Sequence, residues 1–367
     1  LQQTGGSFGG PLFQDKTFFF VAGEYQKNDN PRTVIFRRLD SYIPPASALE
    51  AACFYRSFTG CPSGSSGQEG PFTQTNNAFT TLGRVDQNFG SNHRVAVRYH
   101  FSTNTGDNAV ATGDAIFPET NNALSNNGTE KDRTHNVTGQ WTAIWSPRMV
   151  METRAQYSKE IRPRLSNSTL AGIGSAIGNT GARSFLPTTA DNYRVQVASN
   201  LTWTLGTHNL KYGGEINHLS AGQFFKFNQF GIFSLSASGT TAVSNTTLLN
   251  LMSVGSGGAG DPANRFDTNG TPAGTSVTYR VNIGNGLLGL SMQELAFFVE
   301  DTWRITPRFT LTAGFRWEGY FNPSPDVSNT ALYNSVRNFA FPLGVTTDPA
   351  IIPDNLRQYM PRVGFAW

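Results

Sequence analysis

Two cysteines, Cys53 and Cys61, lie close together in a stretch rich in glycine, serine and proline. In an oxidising compartment such a pair can close a small loop, so the spacing predicts a disulfide. Two free thiols in a flexible loop are the alternative. Neither a histidine nor a third cysteine lies nearby, which argues against a zinc site, and no metal site is predicted.

Other stretches that resemble catalytic motifs lack a necessary residue. The glycine-rich segment GSGGAGD at 255–261 has no following Lys-Ser/Thr pair, so it does not fit a phosphate-binding loop. The segment GIGSAIG at 172–178 likewise does not fit a dinucleotide-binding fingerprint. The histidines are scattered, and no G-x-S-x-G turn occurs. The sequence therefore predicts neither an enzyme nor a cofactor.

The charged side chains follow a regular spacing that is clearest between Glu294 and Tyr320. This stretch predicts two strands joined by a tight turn, in which apolar residues such as Phe297 alternate with polar ones such as Glu300. Each strand is about eleven residues long, and about 9–11 tilted residues are needed to cross a bilayer. The length and the alternation together predict a hairpin of a membrane barrel.

The same pattern recurs along the chain. Turns at 14–16, 90–92, 146–148 and 206–209 join further hairpins, and YMPRVGFAW forms a last strand. Long polar stretches at 25–77, 104–133, 161–192, 220–293 and 321–357 are predicted as loops. The passage 220–293 is interpreted as one elaborate loop, although 224–236 and 276–283 are strand-like and 246–252 has the character of a short helix.

This organisation predicts an all-β, antiparallel transmembrane β-barrel with long extracellular loops and short periplasmic turns. A soluble sandwich has no reason for such long loops at one end only. About eleven strands are counted, and an odd number leaves one strand unpaired. We therefore expect residues 1–367 to form part of one larger barrel domain. The start LQQTGGSFGG has no signal-peptide character, which we interpret as a removed leader or an internal fragment.

Composition agrees with a barrel. The charged fraction is 14% and the net charge is +3, which is far from the basic surface typical of nucleic-acid binding. The mean hydropathy is −0.32. The most apolar run, FFFVA at 18–22, is much shorter than the roughly 20 residues of a spanning helix. A crossing of the membrane would therefore have to use strands.

The alternation also predicts which side each charge faces. A charge on the lipid face at the membrane midplane costs about 2–4 kcal/mol, so charged residues are expected to face the lumen or to lie near the strand ends. Asp301 is an exception near a turn, and Trp145, Trp203 and Trp303 are predicted to form an aromatic belt there. The charges expected to line the lumen or contact a plug are Arg94, Arg98, Arg154, Arg194, Lys211, Glu215, Glu300, Arg316 and Glu318.

Four segments resemble those of a known family. FGGPLFQDKTFFFVAGEYQ at 8–26, HNLKYGGEINH at 208–218, FFVEDTWRITPRFTLTAGFRWE at 297–318 and PRVGFAW at 361–367 resemble segments of Oar-like TonB-dependent outer-membrane receptors, in the same order. The resemblance implies a 22-stranded barrel with an internal plug and an N-terminal carboxypeptidase-regulatory-like domain. This sequence resembles the middle of such a receptor, without the plug, the regulatory-like domain or a TonB-contacting segment.

The resemblance further implies a location in the bacterial outer membrane and TonB-driven uptake of a scarce substrate into the periplasm. The implied partners are outer-membrane lipid, the TonB complex acting through N-terminal regions, and a small ligand such as a siderophore, a peptide or an oligosaccharide. A passive porin or a structural, adhesive barrel would share every barrel feature. A soluble β-rich surface protein would instead need its apolar faces to pack against each other.

Overall fold

The computed structural model describes residues 1–65, 67–109, 118–237, 244–253, 275–325, 329–340, 342–344 and 347–367. Within them the chain forms sixteen strands, numbered in chain order. They are β1 Gln2–Phe13, β2 Thr17–Val34, β3 Gly70–Phe89, β4 His93–Gly106, β5 Glu119–Thr120, β6 Gly128–Ser146, β7 Met149–Ser166, β8 Gly172–Gly174, β9 Asn179–Thr180, β10 Thr188–Leu205, β11 His208–Phe225, β12 Ile232–Ala237, β13 Thr275–Arg280, β14 Leu287–Thr306, β15 Phe309–Phe321 and β16 Asn355–Ala366.

The helices are few and short. They are α1 Leu49–Tyr55, α2 Asn245–Ser253 and α3 Thr330–Arg337, with single 3₁₀ turns at Arg37–Leu39, Ala46–Ala48, Leu124–Asn126 and Pro342–Gly344. Within the described ranges, no helix has both the length and the apolar composition of a membrane span.

Eleven long strands form one continuous antiparallel wall in the order β1-β2-β3-β4-β6-β7-β10-β11-β14-β15-β16. Neighbours in the wall are successive long strands of the chain, and only the short β5 joins it in parallel, beside β2. The prediction of an all-β, antiparallel barrel wall of about eleven strands is confirmed. In the described residues β1 and β16 form the two edges and do not pair with each other, so the sheet is open.

The wall strands are longer than predicted, with 12 to 20 residues where about eleven were expected. The predicted loops consequently begin too early: β2 continues to Val34 rather than ending near Tyr25, and β11 continues to Phe225 rather than to Leu219. The end of β2 is rich in polar residues such as Asn28 and Asn30, and the end of β11 begins with Ser, Ala and Gly, which is why both were interpreted as loop. A neighbouring strand nevertheless supplies their backbone hydrogen bonds, and this tertiary pairing outweighs the weak local propensity.

One face of the wall is apolar and exposed. Val197 lies opposite Ala155 and Ile216, and its side chain is 43% exposed. On β10 this face extends from Trp203 back to Tyr193, which precedes it by ten residues. At about 3.3 Å per residue and a tilt of about 40°, ten residues span about 25 Å, the height of the apolar band of a membrane barrel.

Aromatic side chains border this apolar band at both ends. Trp203 and Trp303 lie on the apolar face close to the short turns. Trp145 also lies near a short turn, and its ring packs edge-on against that of Trp141. At the opposite border, the same face carries Tyr99, Tyr157 and Tyr193. The predicted belt near the turns is present, and a second belt, which was not predicted, completes the band.

The apolar face carries more polar groups than the sequence suggested. Asp301 lies on this face as predicted, and its Oδ2 is 2.7 Å from Nδ1 of His208, whose ring stacks on Trp303. The same face also bears Lys159, opposite Tyr193 of the second aromatic belt, and Arg133 beyond that belt. These charges lie near the ends of the predicted strands, where the sequence analysis allows them.

The long loops fold together into a compact body, here called the loop unit. It contains α1, α2 and a small sheet in the order β13-β12-β8-β9, in which β12 and β8 run parallel. Its core combines Val34 at the end of wall strand β2 with residues of several separate loops, which are Phe36, Leu39, Ala48, Ala51, Ala52, Tyr55, Ala123, Ile173, Ile177, Leu235, Leu248, Leu249 and Met252.

The loop unit corrects the interpretation of 220–293 as one loop. The short helix expected at 246–252 is confirmed as α2, and the strand-like segments contain β12 and β13. Helix α1 was not predicted, because its apolar residues find their partners only in other loops. The glycine-rich segment at 255–261 lies outside the described residues.

Candidate functional site

The second face of the wall collects the charges that were predicted to face the lumen. Residues opposite one another in neighbouring strands point to the same side of a sheet. Arg154 lies opposite Ala198, and Ala198 lies opposite Glu215. The same pairing continues across the wall and places all nine predicted residues on this face: Arg94, Arg98, Arg154, Arg194, Lys211, Glu215, Glu300, Arg316 and Glu318. That this face lines a lumen stays a prediction.

Most of these charges are satisfied by neighbours on the same face. Nη2 of Arg154 lies 2.6 Å from Oε1 of Glu152, and Nε of Arg316 lies 2.6 Å from Oε1 of Glu318. Arg94 pairs with Asp86 at 2.9 Å. These short links hold the long side chains against the wall rather than leaving them extended from it.

One hydrogen-bonded chain crosses three strands of the polar face. Nε of Arg194 donates to Oδ1 of Asn217 at 2.8 Å, and Nδ2 of Asn217 donates to Oε2 of Glu294 at 2.6 Å. Asn217 is only 2% exposed, so its amide is held between the two charged groups. Asn217 was not singled out from the sequence, although it has the same strand parity as Lys211 and Glu215.

Two of the depressions on this face lie side by side. The larger has a volume of about 440 Å³ and is lined by Arg154, Gln196, Glu215, Phe298 and Arg316 among others. The smaller, of about 280 Å³, is lined by Lys211, Glu300, Met360 and Arg362 together with the shared Phe298 and Arg316. Three predicted residues therefore meet in the larger depression, and three meet in the smaller one.

Phe298 is an aromatic side chain on an otherwise polar face. Its ring lies over Gly213, where an added Cβ would come within 2.9 Å of the ring and 2.4 Å of the carbonyl oxygen of Ser199. Glycine at this position therefore lets the ring lie flat against the wall. The ring of Phe298 forms the apolar base of the depressions, between Arg316 and the charged residues Lys211 and Glu215 of β11.

The arrangement suits reversible binding of polar groups rather than covalent chemistry. Guanidinium, ammonium and carboxylate groups alternate around an aromatic floor, which favours hydrogen-bonded contact with a polar surface. In the described part of the chain, no three His, Cys, Asp or Glu side chains converge to hold a metal ion.

The loop unit has its own electrostatic anchor. Nε of Arg56 lies 2.6 Å from Oε2 of Glu69, and Nη2 lies 2.9 Å from Oδ1 of Asp40. The hydrogen bond to Glu69 raises the pKa of Arg56. Cys53, near the end of helix α1, is joined to Cys61 by a disulfide. The pairing stays a prediction for the protein in its own compartment.

Burial has a strong effect on Tyr55, which follows Cys53 in α1. Its side chain is fully buried against Phe36, and its hydroxyl lies 3.4 Å from that of Ser175. Burial raises the pKa of the phenol from 10.0 to about 12, because the charged phenolate would lose its hydration there.

The solved structures that resemble this chain include those of outer-membrane transporters and receptors. The outer membrane transporter YddB of Escherichia coli is 9% identical, with a TM-score of 0.49 over 86% of this chain and 33% of that one. The ferripyoverdine receptor of Pseudomonas aeruginosa is 8% identical, with a TM-score of 0.49 over 99% and 38%. The ferric-catecholate import receptor Fiu of E. coli K-12 is 11% identical, with a TM-score of 0.44 over 99% and 50%.

The chain thus spans between a third and a half of the length of these structures. No protein of curated function matches the sequence. A family model does match: the one described as an outer membrane beta barrel domain aligns with residues 43–367, which is most of the chain. The match agrees with the antiparallel wall, its apolar band and its bordering aromatic belts, and the chain belongs to the family of outer-membrane β-barrel domains.

Proposed function

We propose that this chain is part of the barrel of a TonB-dependent receptor that imports a scarce substrate into the periplasm. The observation that carries the proposal is the loop unit, a body with an apolar core at the long-loop end of the wall. A passive pore needs only loops that leave its entrance free. A folded body of many joined loops offers a shaped surface on which a ligand can be captured.

The open edges of the wall support a barrel with more strands than the eleven described here. A small barrel would bring β1 and β16 together, whereas the described strands leave both edges unpaired. The order of the four sequence segments that resemble Oar-like receptors is consistent with this. The full wall would then have about 22 strands and enclose a plug.

In this proposal each part of the chain has a separate task. The loop unit captures a small ligand such as a siderophore, a peptide or an oligosaccharide. The polar face, with its satisfied charges and two depressions, contacts the plug or guides the ligand past it. Some charged side chains, such as Arg98 and Lys211, have no hydrogen bond to a neighbour in the described residues. These side chains are free to contact the plug or the ligand.

The first test is the coding frame upstream of Leu1. The proposal expects a plug-like domain and a short TonB-contacting segment there. A signal peptide that directly precedes Leu1 would contradict it and favour a passive porin or an adhesive barrel.

The second test measures conductance and uptake with the protein made from its whole coding frame. A plugged receptor is expected to leave a planar bilayer electrically tight, whereas a porin would conduct at once. Cells are then offered labelled ferric siderophore, peptide and oligosaccharide, with and without TonB. Accumulation that is lost without TonB would support the proposal. Conductance of the untreated protein, or uptake that does not require TonB, would contradict it.

A further inference from the structure

A third depression on the polar face lies towards the long-loop end of the wall. It has a volume of about 540 Å³, which is within the range of small-ligand sites. Its apolar lining residues are Leu219, Ala221, Leu290, Met292 and Pro323. Aliphatic side chains in a solvent-filled depression are unexpected on a face that otherwise collects charges. This depression therefore differs in chemistry from the two that share Phe298.

The middle row of the depression changes from polar to apolar at Arg194. On β10, Arg194 lies opposite Ser158 of β7 on one side and opposite Leu219 of β11 on the other. Leu219 in turn lies opposite Met292 of β14. Side chains that lie directly opposite each other on one face have Cβ atoms about 5 Å apart, so the stem of Arg194 adjoins the leucine. One cation therefore borders an aliphatic surface.

The outer row repeats this division. Asn192 of β10 lies opposite Glu160 of β7 and opposite Ala221 of β11. Ala221 lies opposite Leu290 of β14, whose side chain is 40% exposed. Nδ2 of Asn192 is 3.4 Å from Oε2 of Glu160. Hydrogen-bonding groups thus line the β7 and β10 side of the depression, and aliphatic groups line the β11 and β14 side.

The row below the depression fixes the position of Arg194. Its Nε donates to Oδ1 of Asn217, which is buried and donates in turn to Glu294. Within the described ranges Arg194 has no ion pair and no other side-chain hydrogen bond, so its Nη groups are available to a ligand. A guanidinium with free terminal nitrogens binds a carboxylate through charge-assisted hydrogen bonds.

The charges around the depression limit the charge of the ligand. Glu160 and Glu294 lie on the same face as Arg194, and the next cation, Arg162, interacts electrostatically with Asp132. These carboxylates would repel a ligand with several negative charges. A neutral oligosaccharide would offer neither a carboxylate for Arg194 nor an apolar group for the aliphatic side. A single carboxylate beside an apolar group fits both halves of the depression.

We infer that this depression binds the C-terminal residue of a short peptide whose last side chain is apolar. The terminal carboxylate accepts hydrogen bonds from the Nη groups of Arg194, and the apolar side chain lies against Leu219, Leu290 and Met292. Glu160 accepts hydrogen bonds from N–H groups of the peptide backbone. The inference rests on the proposed import function and selects the peptide among the ligand classes considered there.

The experiment measures peptide binding to the full-length protein in a neutral detergent by isothermal titration calorimetry. The probe is the tripeptide alanyl-alanyl-leucine, compared with its C-terminal amide and with alanyl-alanyl-serine. Each of these two is expected to bind at least about tenfold more weakly, because one lacks the charged hydrogen-bond acceptor and the other the apolar side chain. Dodecanoate, which has no backbone amides, and maltotriose are also expected to bind more weakly than the tripeptide.

The variant Arg194→Gln is expected to weaken binding of the tripeptide by about tenfold to a hundredfold and to leave binding of its amide nearly unchanged. Arg194→Lys should recover part of the preference for the acid, which separates a lost charge from misfolding. The matched control is Arg133→Gln, which removes a cation at a similar height of the wall but on the apolar face. It is expected to bind the tripeptide as the unaltered protein does.

Absence of tripeptide binding to the unaltered protein would overturn the inference, as would equal binding of the amide, the serine peptide, dodecanoate or maltotriose. An unchanged preference for the acid in Arg194→Gln, or equal weakening in Arg133→Gln, would do the same. Binding in detergent involves neither TonB nor transport. A negative result would therefore leave TonB-dependent uptake intact, whereas uptake that does not require TonB would contradict the proposed function without altering peptide binding.

Discussion

Tyr55 shows how the burial of one hydroxyl makes the loop unit sensitive to alkali. Its pKa is raised from 10.0 to about 12 in the folded state, so the unfolded chain loses the phenol proton first as the pH rises. Stability is therefore unaffected below pH 10 and falls between pH 10 and pH 12, by up to roughly 3 kcal/mol. We expect the loop unit to unfold in this window, as followed by tyrosinate absorbance and limited proteolysis.

The control for this prediction is Tyr55→Phe, which keeps the ring against Phe36 and removes the titrating group. Its loop unit is expected to have a flatter stability profile above pH 10. Its stability at neutral pH should fall by no more than about 1 kcal/mol, because only the long contact with Ser175 and a contact with the sulfur of Met252 are lost. The same loss of stability above pH 10 in both proteins would show that another group is responsible.

At the scale of the element, adjacent residues of one strand meet different surroundings. Val197 faces outward near the middle of β10, and Ala198 faces the polar side beside Arg154 and Glu215. Val197→Arg would place a charge in hydrocarbon, whereas Ala198→Arg would place it among polar groups. We expect the first to lower the free energy of unfolding by about 2–4 kcal/mol and the second to change it by less than about 1 kcal/mol.

The measurement is urea unfolding of each variant of the full-length protein in lipid vesicles, with heat-dependent mobility in gels as a check that a barrel has formed. The two variants carry the same side chain one position apart, so general effects of arginine cancel. A similar loss of stability in both would contradict the assignment of the two faces.

At the scale of the whole molecule, the loop unit has an apolar core to which the wall contributes Val34 at the end of β2. Leu249 of α2 is fully buried in the loop unit, among side chains that come from other loops. Leu249→Ala should destabilise the loop unit by about 2–5 kcal/mol through the cavity that it leaves, while the wall keeps its strand pairing. We expect faster proteolysis of the loops and unchanged heat-dependent mobility of the barrel.

The comparison variant is Leu332→Ala in α3, where the leucine is 61% exposed. Its removal should leave the rate of proteolysis within the loop unit unchanged, because no buried contact is lost. Loss of the folded barrel in Leu249→Ala would show instead that the wall depends on the loop unit for its stability.

The alternation of residue types determined much of this protein from the sequence alone. Strands with the period of Phe309 to Trp317 have one apolar and one polar face wherever they pack, so the wall, its short turns and the common face of the nine charges could be predicted. The turns were equally local, since Gly90 and Gly206 adopt the positive φ that tight turns favour. Such features depend on neighbours in the chain and need no knowledge of distant contacts.

Only the tertiary structure decided the length of the strands, the loop unit and the partners of individual side chains. The polar ends of β2 and β3 become strand because each supplies the other with backbone hydrogen bonds. Helix α1 and the β8–β12 pair have apolar faces that are covered by segments more than a hundred residues away. The hydrogen bonds of Asn217 and the pairing of Asp301 with His208 likewise arise between strands. Contacts of this kind leave no periodic signal, because their free energy comes from residues that are brought together only when the chain has folded.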